Sequence, residues 1–535
     1  MPTYVFVSGG VISGLGKGIT SASLGALLEA RGYRVAPMKV DMYLNQDAGT
    51  IRPAEHGEVF VTEDGLECDQ DLGNYERFVG RPLRRANYLT TGQVYAEVLR
   101  KERAFAYEGE DVEAIPHLTD EIIRRFKEAG KDADVCIIEL GGTVGEYQNG
   151  IFFEAARILE MREPGRVAHV HVAYLPIPGA LGEMKTKPVQ QSVRMLNAMG
   201  IQPDFVVGRA SRVMDDRRKE RIALFCNVAK EDVVSNPDCG SIYEVPLILE
   251  EQEFAARLLA KLGMKPKRPD LTPWRALNDA IASAQQEVKI AMVGKYFAVG
   301  DFQLSDVYIS VIEAVKHAAW AHGRKPVLSW IDSADIEERG AAEVLAGFDG
   351  IVVPGGFGSR GIEGTIAAIR YARENGIPYF GLCYGMQLAA VEFARHVCGL
   401  DGAHTTEINQ DTPHPVVAIM PEQEKKLLKR EYGATMRLGS WDCVLAAGTA
   451  SRAAYGAAKI SERHRHRYEF NNAYREQLTA AGLVVAGTSP DGALVEIIEV
   501  PDHPFFVGVQ FHPEFQSSPL KPHPLFLAFV RAAAK

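Results

Sequence analysis

The sequence predicts an α/β protein of two doubly wound domains, an N-terminal phosphate-loop domain and a C-terminal domain built around a nucleophilic cysteine. Short Val/Ile-rich runs alternate with helical stretches along the whole chain, the pattern of parallel strands covered on both faces. A chain of 535 residues exceeds what a single core organises. The strip Lys265-Pro266-Lys267-Arg268-Pro269-Asp270-Leu271-Thr272-Pro273-Trp274 combines prolines and charges as a linker does. The expected division is therefore residues 1–270, a linker at 271–286, and residues 287–535.

In the first half the buried strands are expected at Tyr4–Val7, Val35–Val40, Val135–Ile138, Ala168–Ala173 and Phe205–Val207. In the second they are Val288–Val293, Pro326–Ile331, Gly350–Val353, Tyr379–Leu382 and Phe505–Val509, with a last amphipathic helix over Phe526–Ala534. Hydrophobic residues make up 46% and charged residues 24%, the balance of a soluble globular protein. Seven cysteines without a CxxC pair argue against a disulfide framework or structural zinc. No signal-peptide pattern opens the chain and no apolar run is long enough to span a bilayer, so a cytoplasmic location without membrane contact is expected. A net charge of −10 gives no reason to expect nucleic acid.

The run Ser8-Gly9-Gly10-Val11-Ile12-Ser13-Gly14-Leu15-Gly16-Lys17-Gly18 follows an apolar strand. Glycines between a strand and a helix let backbone N–H groups approach phosphate, and Lys17 would reach the β/γ-phosphates. Gly18 stands where a Walker A loop has the Ser or Thr that holds Mg²⁺, so the metal needs other ligands. Asp71 and Glu139 are the candidates, because hard carboxylate oxygens suit Mg²⁺ and strand C-termini collect ligands in α/β folds. Lys39, ending the second strand, could neutralise a transferring phosphoryl group. The first six residues of the run also approach the SGGxDS loop of ATP pyrophosphatases, but Ile12 replaces its Asp and Leu15-Gly16-Lys17-Gly18 follows, which favours phosphorylation over adenylation.

The second chemistry is carried by Gly381-Leu382-Cys383-Tyr384-Gly385-Met386-Gln387, a strand-to-helix turn with the form of a nucleophile elbow. Such a turn exposes the thiol, and the helix N-terminus lowers its pKa. His512 and Glu514, separated by Pro513 after a strand, suit a general base and its orienting group. Gly355-Gly356-Phe357-Gly358 offers backbone N–H groups for an oxyanion hole, with the Tyr384 N–H as a second donor. A loop that activates an oxygen with ATP and a cysteine that frees ammonia from glutamine together describe an ATP-dependent amidotransferase.

The chain resembles the CTP synthase family from end to end. The resemblance rests on His56-Gly57-Glu58-Val59-Phe60-Val61-Thr62-Glu63-Asp64-Gly65, Asp71-Leu72-Gly73-Asn74-Tyr75-Glu76-Arg77-Phe78, Gly141-Gly142-Thr143-Val144-Gly145 and Lys185-Thr186-Lys187-Pro188. Glu462-Arg463-His464-Arg465-His466-Arg467-Tyr468-Glu469 and His512-Pro513-Glu514-Phe515 carry it in the second half. It implies a dethiobiotin-synthetase-like synthase domain joined to a class I glutamine amidotransferase domain. ATP phosphorylates the 4-oxygen of UTP, and ammonia released at Cys383 displaces the phosphate.

Carried over by position, Gly14, Leu15, Gly16, Lys17, Gly18 and Ile19 hold ATP phosphates with Asp71, and Asp71 and Glu139 hold Mg²⁺. Lys17 and Lys39 join Cys383, His512 and Glu514 as catalytic residues. Ser13, Glu146, Tyr147, Gln148, Lys185, Thr186, Lys187, Pro188, Val189, Gln190 and Arg221 would contact UTP, or CTP as product inhibitor. Gly356, Tyr384, Gly385, Met386, Gln387, Glu407 and Arg467 would bind glutamine, an amino acid that needs a carboxylate for its ammonium and an Arg for its carboxylate. GTP as an allosteric activator, homotetramers and filaments are further implications. The basic stretch Arg77, Arg81, Arg84, Arg85, Arg100, Lys101 and Arg103 fits a phosphate or subunit-contact surface.

The chain departs from the family pattern at a few places. Glu146-Tyr147-Gln148 replaces Asp-Ile-Glu, Arg221 replaces Lys, Asp111-Val112-Glu113 replaces Thr-Val-Gln, and Val189 replaces Thr. These fall in segments that the resemblance assigns to the pyrimidine nucleotide, which raises the alternative of a relative aminating another uridine-like nucleotide. Tyr384 stands where the family has Leu. A non-catalytic nucleotide-sensing scaffold is the reading from another class. Retention of Lys17, Lys39, Cys383, His512 and Glu514 speaks against it. The Lys-Thr-Lys-Pro and Asp-Leu-Gly-Asn-Tyr-Glu-Arg-Phe strings speak against an amidotransferase of the cobyric-acid type.

Overall fold

The computed structural model describes residues 2–180, 182–294, 298–299, 302–303, 305–356, 358, 361–419 and 436–535. Contacts divide the chain into two compact units: Met1–Asp47 with Asp71–Asn278, and Ala48–Gln70 with Asp279–Lys535.

The first unit holds a seven-stranded sheet. Its elements in chain order are β1 (Thr3–Gly10), α1 (Lys17–Glu29), β2 (Val35–Asp41), α2 (Asp71–Val79), β3 (Tyr88–Thr90), α3 (Thr91–Arg103), α4 (Thr119–Ala129) and β4 (Val135–Leu140). They continue with α5 (Gly150–Arg162), β5 (Val167–Tyr174), α6 (Lys187–Ala198), β6 (Phe205–Ala210), α7 (Asp216–Cys226) and β7 (Val233–Pro237). The strand order is β3-β2-β4-β1-β5-β6-β7. Every pairing is parallel. β1, β2 and β4 are buried along their whole length, which is why they read as unbroken apolar runs rather than alternating ones. Helices such as α4, with Ile122, Ile123 and Phe126 buried, cover the sheet.

The second unit is built on α8 (Thr272–Ser283), β8 (Gln286–Gly294), α9 (Ile309–Ala321), β9 (Arg324–Asp332), β10 (Gly350–Val353), α10 (Ile362–Asn375), β11 (Tyr379–Leu382) and α11 (Tyr384–His396). It continues with β12 (Arg437–Leu445), β13 (Lys459–His466), β14 (Val484–Thr488), β15 (Val495–Glu499), β16 (Phe506–Val509) and α12 (Pro524–Ala533), although α8 itself straddles the division at Asn278. The nine-stranded sheet runs β9-β8-β10-β11-β16-β15-β14-β12-β13. The strands from β9 to β16 are parallel. The remaining four add antiparallel. Two apolar clusters flank this sheet, one including Ile351, Tyr379 and Met386, the other Val352, Phe380 and Phe529.

The structure differs from the sequence reading in three ways. The second sheet is mixed, not parallel throughout. Strands β12 and β13 carry exposed polar positions that break the apolar runs by which parallel strands are recognised. The linker expected at 271–286 is largely the helix α8, with Trp274 buried against Phe78 and Tyr243. Finally, Ala48–Gln70 packs with the second unit although its flanks belong to the first. Glu58 explains part of this, since its carboxylate accepts from the Ser310 N–H at 3.2 Å.

Candidate active sites

In the first unit the phosphate loop follows β1 and ends where α1 begins. Gly14 and Gly16 adopt φ of 69° and 82°, left-handed values that side chains disfavour, and Gly16 caps the helix. No acidic residue occupies the first turn of α1, so its N-terminal N–H groups are left to an anion. Lys17 is buried and its Nζ donates to the Gly142 carbonyl at 2.8 Å. Burial lowers its pKa, and Lys39 adds to the effect, while Glu139 opposes it.

Register places the acidic partners. Lys39 on β2 faces Glu139 on β4 as its Cα partner, so both side chains emerge on one face. Lys39 Nζ lies 3.0 Å from Glu139 Oε1 and also donates to Asp71, the first residue of α2. Burial pushes the Glu139 carboxyl up against the pull of Lys39. Burial would raise Asp71 as well, but Lys39 and its hydrogen bond bring it below the usual value. Gly18 has a steric cause: a Cβ there would lie 2.1 Å from Asp71 Oδ1. Asp71 therefore occupies the space into which a Walker Ser or Thr would project. Two carboxylates fit Mg²⁺, which completes its shell with water and phosphate oxygens. Among the described residues no cluster of three or more His, Cys, Asp or Glu forms a metal cage.

A cavity of about 480 Å³ in the same unit is lined by Lys185, Thr186, Lys187, Gln190 and Arg221 from the expected pyrimidine set. It is also lined by Arg194, Arg217 and Arg218, which sequence reasoning missed. For Arg217 and Arg218 a signal was available, since α7 carries the basic run Arg217-Arg218-Lys219 in its first turn. Pro188 and Val189 do not line it. Val189 is fully buried in a core with Ala173, Leu175 and Val193. Ser13, Glu146, Tyr147 and Gln148 are outside its lining too, and the Tyr147 side chain is fully exposed. Glu113 is exposed, with its N–H donating to His117 Nδ1 at 3.0 Å.

The basic stretch is largely paired within the chain. Arg81 meets Glu29 at 2.8 Å, Arg100 meets Glu97 at 2.9 Å and Lys101 meets Glu121 at 2.7 Å. Arg77 is buried and donates to Asn74. These pairs leave it less charge for a phosphate surface than the sequence suggests.

In the second unit Cys383 joins β11 to α11 at φ 50°, the strained backbone of an elbow. Glycines make the turn fit: a Cβ on Gly385 would meet the Val353 carbonyl at 2.3 Å, and one on Gly355 would meet His512 Cε1 at 2.7 Å. His512 Nδ1 lies 2.7 Å from Glu514 Oε1. Nε2 of His512 is buried, and the Cys383 thiol lies close enough to act on the imidazole. Burial alone would lower His512, but the Glu514 carboxylate and Cys383 raise its pKa to about 10. Gln510 Nε2 lies 3.6 Å from Cys383 Sγ, and the Arg465 carbonyl lies 3.9 Å from it.

A pocket of about 280 Å³ gathers Gly356, Gln387, Glu407 and Arg467 from the expected glutamine set around the catalytic candidate Cys383. Gly385 and Met386 do not line it, and Met386 is buried in the core. Tyr384 is also buried, and its hydroxyl donates to the Gly358 carbonyl at 3.2 Å. The Gly358 N–H donates in turn to Glu407 Oε1 at 3.1 Å, so the elbow, the glycine loop and the acidic residue form one connected set. Phe357 lies outside the described residues. The pocket also draws on Gly49–Pro53, Arg465, His466 and Tyr468, which sequence reasoning did not assign. Arg465 was recoverable from the alternation of β13, whose partners His464 and His466 face the core. Its side chain meets Glu67 at 2.8 Å. The residues 49–53 gave no local signal, because only the packing of Ala48–Gln70 brings them here.

The Glu514–His512 pair yields a prediction for pH. A His raised from about 6.5 to about 10 contributes stability that is complete below the lower value and is lost as pH rises through the upper one. In the expected glutaminase reaction this is the proton that the leaving ammonia would take. Glu514→Gln removes the charge that raises His512, so the alkaline limb of glutamine hydrolysis moves to lower pH. Initial rates across the alkaline range read the limb directly, and a limb left in place would sink the assignment.

A parallel-sheet phosphate-loop unit and a cysteine glutaminase unit in one chain define a glutamine amidotransferase of the carbon–nitrogen ligase class. Residues 3–264 match the family model of the CTP synthase N-terminus, and residues 303–532 match that of glutamine amidotransferase class-I. The chain is 49% identical over 535 residues to CTP synthase of Halalkalibacterium halodurans, covering 99% of each. It is 51% identical over 538 residues to CTP synthase of Thermomicrobium roseum, covering 100% of this chain and 96% of that protein. The Trypanosoma brucei CTPS glutaminase domain with bound acivicin is 41% identical at a TM-score of 0.43, spanning 46% of this chain and 94% of that one. The chain belongs to the CTP synthase family, the glutamine-hydrolysing ligases of pyrimidine biosynthesis that convert UTP to CTP.

Proposed function

We propose that the two units divide the reaction into phosphorylation and amination on one side and ammonia release on the other. ATP transfers its γ-phosphoryl group to the 4-oxygen of UTP. Ammonia attacks C4, phosphate leaves, and CTP forms. The observation that carries this reading is Lys39 held between Asp71 and Glu139, with Lys17 closing the phosphate loop nearby. Phosphoryl transfer is positioning and charge stabilisation above all, and two buried lysines beside two carboxylates supply both. Asp71 and Glu139 would hold Mg²⁺, which when bound shields the phosphate charge. Gly14 to Ile19 contact the ATP phosphates through their backbone. Lys185, Lys187, Gln190 and Arg221 take the pyrimidine nucleotide, joined by Arg194, Arg217 and Arg218 at the cavity wall.

Ammonia comes from glutamine. Cys383 Sγ attacks the side-chain amide carbon, and the oxyanion is met by the N–H groups of Gly356 and Tyr384. His512 carries the thiol proton to the departing nitrogen, Glu514 orients it, and water hydrolyses the thioester to glutamate. Glu407 and Arg467 pair with the ammonium and carboxylate of the substrate, in keeping with their common pocket. GTP activation, a homotetramer able to form filaments, and a cytoplasmic location belong to this reading. No described helix is long and apolar enough to cross a membrane.

The experiment that tests the substrate is ammonia-dependent amination with UTP, UMP, UDP and dUTP in ATP and Mg²⁺. UTP is expected to lead by about tenfold or more in kcat/KM, since a missing phosphate or hydroxyl leaves polar partners unpaired. The burial of Val189 and the retained positive charge of Arg221 support UTP. A higher kcat/KM for another nucleotide would overturn it in favour of a retuned pocket.

A further inference from the structure

A buried chain of three side chains runs from the strand before the phosphate loop to the helix that begins at the pyrimidine cavity. Ser8 on β1 and His171 on β5 are Cα partners in the parallel register, so both side chains leave the same face. Ser8 Oγ and His171 Nδ1 are 2.9 Å apart, and His171 Nε2 and Ser192 Oγ are 3.0 Å apart. Ser192 on α6 completes the chain by donating to the Val189 carbonyl at 2.9 Å. All three residues are buried.

The proton order follows from the last acceptor. A carbonyl only accepts, so the Ser192 hydroxyl hydrogen is committed to Val189 and its oxygen accepts from His171 Nε2–H. His171 Nδ1 is then the acceptor for the Ser8 hydroxyl. This order needs a neutral ring. Burial supplies it, pushing His171 down to about 3, with Lys17 adding to the effect. The neighbouring Gly10 shows how closely the parts approach: a Cβ there would lie 2.6 Å from His171 Nε2 and 2.5 Å from Ser192 Cβ. Ser8 directly precedes Gly9 and Gly10 of the loop, while Ser192 sits one turn beyond Lys187–Gln190.

We infer that His171 is a positioning residue for phosphoryl transfer, fixing the phosphate loop against the first turn of α6 so that the ATP phosphates and the pyrimidine oxygen are held in register. The inference rests on the nucleotide assignments proposed above. It touches neither substrate directly: Ser8 and Ser192 transmit the placement. Glutamine hydrolysis does not use these groups and reports on the integrity of the chain.

The test uses the full-length enzyme with ammonia as nitrogen donor. His171→Leu removes both hydrogen bonds and is expected to lower kcat for UTP amination about tenfold, because small misplacements of reacting groups are costly. His171→Gln, which keeps a donor near Nε2, is expected to recover part of the loss. Ser192→Ala, which cuts only the α6 end, should raise the KM for UTP about tenfold with the KM for ATP within about twofold, and Ser8→Ala should do the reverse. A folded His171→Leu enzyme with kcat and both KM values near wild type would overturn the inference. So would equal shifts of both KM values in each serine variant, the signature of a general packing defect. Should His171→Leu fail to fold, the two serine variants decide. A wild-type enzyme that does not aminate UTP would instead defeat the substrate reading.

Discussion

Cys383→Ala eliminates glutamine-dependent CTP formation and spares the ammonia-dependent reaction. The expected loss is about 10⁴-fold or more, because members of a nucleophile–base–orienter set act as a unit and removing the nucleophile removes the covalent route. The structure gives reasons to expect a clean separation. Cys383 stands at an elbow whose backbone is held by Gly381, Gly385 and the Tyr379 hydroxyl, which donates to the Gly385 carbonyl at 2.9 Å. Alanine fits that backbone except for the cost of φ 50° that cysteine already bears. His512 keeps Glu514 at 2.7 Å without the thiol, so the site stays formed. The measurement is CTP formation with glutamine and, separately, with ammonium chloride. Loss of both rates in a folded variant would mean that the second unit does more than release ammonia. Retention of the glutamine rate would remove Cys383 from the mechanism.

Lys39→Ala shows the opposite profile: CTP formation falls about 10²–10³-fold with either nitrogen source, the usual scale for losing a preorganised charge aimed at a transition state. Glutamine hydrolysis persists. Lys39 contacts both Asp71 and Glu139, at 3.0 Å from the latter. Without it the buried Glu139 and half-buried Asp71 carboxylates are left without their shared cation, and one takes up a proton rather than remain charged. That proton disables a proposed Mg²⁺ ligand as well as removing the phosphoryl-facing charge. Part of the loss is therefore recovered at higher pH or higher Mg²⁺ for the carboxylate pair, while the part due to Lys39 itself is not. Rates as a function of Mg²⁺ at two pH values separate them. An ammonia-dependent rate within tenfold of wild type would show that Lys39 serves folding alone.

Both units were legible because their signals are local in sequence. The phosphate loop lies within Ser8–Gly18, and the cysteine elbow within Gly381–Gln387. Buried parallel strands announce themselves as short apolar runs, as β1 and β11 do. The antiparallel strand β12 was missed for the same reason in reverse, since exposed Trp441, Asp442 and Val444 break its apolar run. Arg194 was missed because a lone surface arginine in sequence is indistinguishable from a solvated one until a cavity forms beside it, whereas Arg217 and Arg218 stood in a basic run that could have been read. The Val189 assignment shows the converse: a residue next to binding residues on a helix faces the core, 100° or so around from its neighbour.

What the sequence determined by itself was the local motifs: a glycine-rich loop closed by Lys17 after a strand, and a cysteine elbow at Cys383 with a His-x-Glu partner at His512 and Glu514. Those motifs are constrained by backbone geometry at a single turn, so a few adjacent residues suffice to specify them. Tertiary structure decided everything that depends on residues distant in the chain. It placed Asp71 against Gly18, packed Gly49–Pro53 into the pocket beside Cys383, and joined Ser8 to Ser192 through His171. Such contacts arise from strand register and helix packing, in which partners separated by tens to hundreds of residues meet only once the sheets have formed.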